Sequence, residues 1–289
     1  MFENQYPVSS GHIAALEIGD ANMSPISIVF LHGWLDNAAS FETTMLALHA
    51  IASSFHLCAI DLPGHGNSTH KPNSNFYPFH DYIDDLNQFL RILSPNRCLL
   101  VGHSLGALIA SCYSAAFPEK VSGLVQIEGY GPLSEQEESS VSRLRQGVQS
   151  RDRVRKKPRR LLSSVEEAVA RRAKVNEIAG ELIAPVVKRG IVAAEGRYAW
   201  KHDSKLQTDS LYRMSPSHAA QVMKEIQCPM LTILGEQGFE HIHSQSEIRG
   251  DERELGTERQ RVVIEGGHHC HLESPVRVSD LIFGLVNKI

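Results

Sequence analysis

No apolar run in this 289-residue chain approaches the roughly 20 residues that a bilayer core demands. Met1 to Ser10 lacks the basic start and apolar stretch of an export signal, so the sequence predicts a cytoplasmic protein. Cysteine is sparse. Cys58, Cys98, Cys112, Cys228 and Cys270 are scattered, odd in number and without metal-type spacing, which argues against a disulfide framework or a zinc module. Cys58 and Cys98 lie in strand-like runs and read as buried thiols. An excess of positive charge is also missing. The net charge of −4 gives no global pull toward nucleic acid or an anionic membrane. What is present is an ordinary globular composition, long enough for one α/β domain with an insertion or for two small domains.

Apolar periodicity sets out the elements. Ile13 to Ile18 and Ile26 to Leu31 read as strands separated by the turn Gly19-Asp20-Ala21-Asn22. Phe41 to Ile51 has helical spacing, and Leu57 to Ile60 is a strand running into Asp61-Leu62-Pro63-Gly64-His65-Gly66. Tyr82 to Leu93 is a helix with Ile83, Leu86, Leu90 and Leu93 on one face. Leu99 to Val101, Val121 to Ile127, Met230 to Leu234 and Arg261 to Ile264 are further strands, and Pro275 to Val286 is a closing helix. Strands and helices alternate over about 26–128 and again after about 217, the pattern of a mainly parallel sheet covered on both faces. Between them, Pro132 to Pro216 is highly charged and holds no good strand. There Ser164 with Glu166 and Glu167 signals a helix start, Ala168 to Ile178 continues it, and Gly180 sits past its end. The expected division is a core over 1–131 and 217–289 with a helical cap inserted at 132–216.

The chemistry concentrates at Gly102-His103-Ser104-Leu105-Gly106. The pattern G-x-S-x-G occurs by chance in loops, but here a strand enters it and a helix, Ala107 to Cys112, leaves it. That context defines a nucleophile elbow, a strand-to-helix turn so tight that both flanks must be glycine. A serine needs a base. In this architecture the order is Ser, acid, His, and Gly266-Gly267-His268-His269-Cys270-His271 follows the last strand, where such sheets place their chemistry.

His32-Gly33-Trp34, Asp61 to Gly66, Gly102 to Gly106, and Gly267-His268 with Glu273 and Pro275 behind together resemble the α/β-hydrolase superfamily. Within it the chain is most similar to the serine hydrolase-like branch, related to haloalkane dehalogenase-like proteins. Ile127-Glu128-Gly129-Tyr130-Gly131-Pro132 and the helix at Glu166 to Asn176 fit that branch too. The resemblance implies His268 as base, with His269 as its rival and His271 as structural support. It also implies an acid. Many relatives carry aspartate in a Gly-x-x-Asp loop after the seventh strand, but this chain reads Gly235-Glu236-Gln237-Gly238, with glycine at the aspartate position. Other branches place the acid after the sixth strand, where Glu128 stands. Glu128 is the expected orienter of His268, and Glu236 and Glu240 are the alternatives. The backbone amides of Leu105 and Trp34 are the expected oxyanion donors. Tyr130, Trp200 and Phe239 are candidates for an apolar pocket wall, and His32 and His65 are expected to hold loops.

Serine at the elbow argues against dehalogenase and epoxide hydrolase chemistry, in which an aspartate attacks an alkyl carbon. It leaves ester, thioester, amide or C–C hydrolysis and acyl transfer. Esters of small to medium apolar substrates are the leading expectation; a thioester or C–C hydrolase, or a non-catalytic binder on the same fold, is the alternative. The triad needs only water, so no metal and no organic cofactor is implied. The expected partner is a small-molecule substrate. Arg151 to Arg160 holds seven basic residues and one acid, Asp152, without interleaved aromatics, and reads as a solvated surface rather than a nucleic-acid patch. Oligomeric state is not encoded in any of these features.

Overall fold

The computed structural model describes residues 1–158, 160–248 and 258–289, without the side chains of 245–248. The chain opens with β1 (Phe2–Val8), β2 (Gly11–Ile18), β3 (Ser27–Leu31), α1 (Glu42–Ile51), β4 (His56–Ile60), α2 (Asp81–Leu93), β5 (Cys98–His103), α3 (Leu105–Ala116) and β6 (Gly123–Ile127). It leaves the sheet for α4 (Ser140–Lys156), β7 (Leu161–Leu162), α5 (Val165–Asn176), α6 (Gly180–Arg189), β8 (Ile191–Ala194) and β9 (Arg197–Trp200). It returns through α7 (Pro216–Lys224), β10 (Met230–Gly235), α8 (Glu240–Ile248), β11 (Arg259–Ile264), α9 (Cys270–Glu273) and α10 (Pro275–Val286).

The main sheet runs β1-β2-β4-β3-β5-β6-β10-β11. β1 and β2 are antiparallel to their neighbours; every pairing from β4 to β11 is parallel. Alternation along β3 shows how both faces are sealed. Val29 and Leu31 pack with Leu86 and Phe89 of α2 and Ile109 and Tyr113 of α3. Ile28 and Phe30 point the other way, to Met45 and Leu48 of α1 and Ile282 and Leu285 of α10. A strand buried on both faces must be apolar throughout, which is why β3 and β5 show as unbroken runs. β1 is different. Phe2-Glu3-Asn4-Gln5-Tyr6-Pro7-Val8 is mostly exposed at the sheet edge and carries no apolar alternation.

The segment between β6 and β10 departs from the sequence reading in two places. It contains strand after all: β7, β9 and β8 form a three-stranded antiparallel sheet. The strands are two to four residues long, too short for a period-2 signal. The β8–β9 turn is Glu195-Gly196, both at positive φ (52° and 71°), as a two-residue hairpin requires. Second, Gly180 does not end a helix. α5 stops at Asn176 with Glu177 left-handed (φ 53°), and Gly180 opens α6. The start of α5 is as expected: Ser164 Oγ accepts from Glu167 N (3.1 Å), and the Glu167 carboxylate accepts from Ser163 N (2.6 Å).

Ion pairs tie this segment to the sheet and its loops. Arg189 of α6 donates to the fully buried Asp61 carboxylate (Nη2···Oδ2 2.8 Å), and Arg172 of α5 pairs with Asp36, which is 2% exposed. The basic run ends α4. Arg151 and Arg155 lie over the ring of Phe76, 4.3 and 5.1 Å from its centre, so part of the run covers an aromatic far off in sequence. Arg159 falls outside the described residues. Among those described, no helix is long and apolar enough to cross a membrane.

Candidate active site

Ser104 sits between β5 and α3 at φ 49°, ψ −116°, a backbone that costs of order 1–3 kcal/mol for a residue with a side chain. Its amide donates to Ile127 O (2.9 Å), and its carbonyl receives Ala107 N (2.9 Å), so both flanks hold the bend. The glycines are steric necessities. A Cβ on Gly106 would lie 2.5 Å from the Leu31 carbonyl carbon, and one on Gly102 would run into the Gly106–Ala107 peptide. Leu105 opens α3, so its amide belongs to the first helical turn, whose N–H groups lack acceptors within the helix.

β5 and β6 pair with His103 opposite Ile127, so Ser104 and Glu128 leave adjacent strand ends side by side. Glu128 is fully buried, with its backbone at φ 47°. Its amide donates to Ile233 O of β10 (2.9 Å). Its Oε1 accepts from Gly235 N (2.8 Å), and Oε2 is 3.1 Å from His268 Nδ1. An ionised carboxylate only accepts, so this contact puts the ring proton on Nδ1 and leaves Nε2 bare. Gly238 explains the vacancy in the Gly-x-x-Asp loop. A Cβ there would collide with Glu128 Oε1 and lie 2.6 Å from its Oε2 and Cδ. The carboxylate reaching over from β6 fills the space where that loop's own side chain would begin. Glu236 and Glu240 are exposed, and among the described residues neither forms a hydrogen bond or ion pair with His268.

The histidine loop is anchored from below. His103 Nε2 donates to the His268 carbonyl (2.8 Å), tying the loop to the residue before Ser104. His269, the rival base, has Nε2 3.3 Å from Asp36 Oδ2. His271 is buried against Ser40 Oγ (Nε2···Oγ 2.7 Å), and burial pushes it down to about 3. His103 lies well below its ordinary value, through burial first and then the other three histidines. Among the described residues no hydrogen bond joins the Ser104 hydroxyl to His268. Resting sites often lack this contact until substrate closes them.

The surrounding loops are held by neutral imidazoles. His32 Nδ1 donates to Gly33 O (2.7 Å) while Nε2 accepts from Leu62 N (3.0 Å). His65 Nδ1 donates to Pro63 O (3.2 Å) while Nε2 accepts from Leu35 N (3.2 Å). Each uses one tautomer, and burial pushes both below the usual range. Trp34 is half-exposed and donates Nε1 to Leu206 O (2.9 Å). Phe239 is half-exposed, its ring centre 4.3 Å from that of His268. Trp200 lines a small cavity with Leu35, Asp36 and Arg172. Tyr130 does not stand in open space. It is 5% exposed and belongs to the α2–α3 side of the sheet core. The sequence reading passed over Asp36, Arg172 and Asn176. The last two are one helical turn apart on α5, and both reach the loop pair holding Asp36 and His269.

The sequence profile of the α/β-hydrolase fold family matches residues 26–275. A serine hydrolase-like protein of Danio rerio is 25% identical over 97% of this chain and 86% of its own length. An esterase of Mycobacterium tuberculosis is 36% identical over a shorter stretch, 42% of this chain and 38% of its own. A crystal structure of a hypothetical protein from Pseudomonas aeruginosa superposes with a TM-score of 0.87 at 28% identity, covering 99% of both chains. The chain belongs to the α/β-hydrolase family, in its serine hydrolase-like branch, and is a hydrolase.

Proposed function

We propose that the protein hydrolyses carboxylic esters of small to medium apolar substrates through an acyl-enzyme, with Ser104 as nucleophile, His268 as base and Glu128 as the acid that orients it. The carrying observation is Glu128 itself, a buried carboxylate on a left-handed backbone, 3.1 Å from His268 Nδ1. In this reading His268 Nε2 takes the Ser104 proton as Oγ attacks the ester carbonyl. The Leu105 and Trp34 amides receive the developing oxyanion, each worth about 3–4 kcal/mol. His268 then returns the proton to the leaving alcohol, and water repeats the sequence on the acyl-enzyme. No metal or organic cofactor enters any step.

Residues 132–216 act as a cap on the core formed by 1–131 and 217–289, with Phe239 and Trp200 shaping the acyl pocket and Tyr130 backing it from the core. Five buried free thiols suit a reducing cytoplasm. The name of the M. tuberculosis relative supports an ester substrate. The test is turnover of p-nitrophenyl esters of graded chain length by the wild type and by Ser104→Ala, His268→Ala and Glu128→Gln, together with fluorophosphonate labelling. Steep loss in all three variants is expected. Equal labelling of wild type and Ser104→Ala refutes the reading, and absence of both turnover and labelling favours the binder.

A further inference from the structure

Four imidazoles crowd behind the elbow. His103 has ring centres of His268, His269 and His271 within 4.2–5.0 Å. His268 is taken up by Glu128 and His271 by Ser40. His103 and His269 are left facing Asp36, and their hydrogen bonding does not close.

His103 Nε2 faces a carbonyl oxygen, so it carries the ring proton. The ring is 1% exposed, and Nδ1 has no hydrogen-bond partner. That bare nitrogen stands 3.9 Å from Asp36 Oδ2, one acceptor opposite another with no proton between. His269 Nε2 lies 3.3 Å from the same Oδ2 and 3.3 Å from the Asn176 amide nitrogen. One nitrogen cannot both donate to the carboxylate and accept from the amide. The three lone-pair atoms all fall within 4.8 Å of one another, in buried residues. Gly33 keeps the space beside His103 Nδ1 open, since a Cβ there would lie 2.8 Å from it.

A tetrahedral ion with bonds of 2.0–2.2 Å holds its ligands about 3.4 Å apart. Asp36 Oδ2 and His269 Nε2 already have that spacing, while His103 Nδ1, 3.9 Å from Asp36 Oδ2 and within 4.8 Å of His269 Nε2, must close by about 0.5–1.4 Å. We propose that His103 Nδ1, His269 Nε2 and Asp36 Oδ2 form a three-ligand site for a borderline transition-metal cation such as Zn²⁺, with a fourth position for water. Arg172 holds the other oxygen of Asp36 and opposes any cation by charge. The site therefore selects through imidazole coordination, favouring Zn²⁺, Cu²⁺ or Ni²⁺ over Mg²⁺ and Ca²⁺. A small cavity lined by Leu35, Arg172 and Trp200 also borders Asp36.

A second trio, Glu17, His56 and Cys58, is equally close-set but complete without an ion. His56 bonds Ser27 and Glu17 with its two nitrogens, Glu17 also accepts from Tyr6 (2.7 Å), and burial keeps the Cys58 thiol protonated.

The experiment is calorimetric titration of the wild type and His269→Gln with ZnCl₂ and with MgCl₂, plus anomalous diffraction from wild-type crystals soaked in ZnCl₂. The expected results are Zn²⁺ affinity at least tenfold weaker in His269→Gln, no Mg²⁺ binding, and an anomalous peak between the three ligand atoms. Unchanged Zn²⁺ affinity in the variant, or peaks only at surface histidines, overturns the site. The crystal arm stands even if the variant does not fold. Neither arm depends on Ser104 being the nucleophile.

Discussion

The substitution Gly238→Ala tests the acid assignment at the smallest chemical cost, one methyl group. That methyl would collide most closely with Glu128 Oε1 and lie 2.6 Å from Oε2 and Cδ, where ordinary contact begins at 3.4 Å. The carboxylate must retreat by at least about 0.8 Å, which disrupts the Oε1 bond to Gly235 N (2.8 Å) and displaces the Oε2 that stands 3.1 Å from His268 Nδ1. Losing the oriented tautomer of the base costs about 10²–10⁴ in rate, or about 3–5 kcal/mol of barrier. The variant is thus expected to fall at least 100-fold in kcat toward p-nitrophenyl butyrate, with KM little changed. Gly238 has ordinary backbone angles, so aspartate fits there once Glu128 is removed. Glu128→Gly alone should be as slow as Glu128→Gln, and Glu128→Gly/Gly238→Asp should recover at least tenfold over the single variant. Activity of Gly238→Ala within threefold of wild type, or a double variant no faster than Glu128→Gly, would refute the reasoning.

Three further outcomes concern the fold. Gly106→Ala should be destabilised by more than about 3 kcal/mol or fail to fold, read by urea unfolding, because its Cβ would meet backbone rather than a movable side chain. Arg189→Met should cost about 3 kcal/mol in the same assay, since Asp61 stays fully buried without its cation; a loss below 1 kcal/mol would show that the amides of Ala38 and Asn67 suffice for it. Acid should weaken the protein well above the carboxylate range. His32, His65, His103, His202 and His271 all titrate below their ordinary value in the fold, burial being the leading cause, with His202 at about 4 and His271 at about 3. The unfolded chain takes up their protons first, so their contribution is present above about pH 6.5 and is lost as pH falls toward the folded values. The unfolding free energy read by urea should drop by up to about 1.4 kcal/mol per histidine per pH unit between pH 6.5 and 5; a flat profile would refute this.

The sheet was legible because β3, β5, β6 and β10 are buried on both faces and are therefore mainly apolar. The elbow was legible because its glycines are dictated by backbone collisions. β1 was not, since an exposed edge strand held by main-chain pairing to β2 needs no apolar pattern. The hairpin of β8 and β9 was hidden for the same reason at shorter length. Among site residues, Glu128 could be picked out as a carboxylate ending a buried strand. Asp36, Arg172 and Asn176 could not, because their partners come together only when α5 folds back over the loop after β3.

Ser104 and Glu128 belong to one strand–helix–strand unit, β5–α3–β6, while His268 arrives with the last strand of the sheet. On the proposed assignment, nucleophile and carboxylate are thus laid down together, and the histidine is delivered by a remote piece of chain. Division of the polypeptide after residue 216 would, on that assignment, give one fragment holding a cocked but inert serine and another holding the group that arms it. In such a split protein, Ser104 labelling becomes a reporter of the two fragments finding each other.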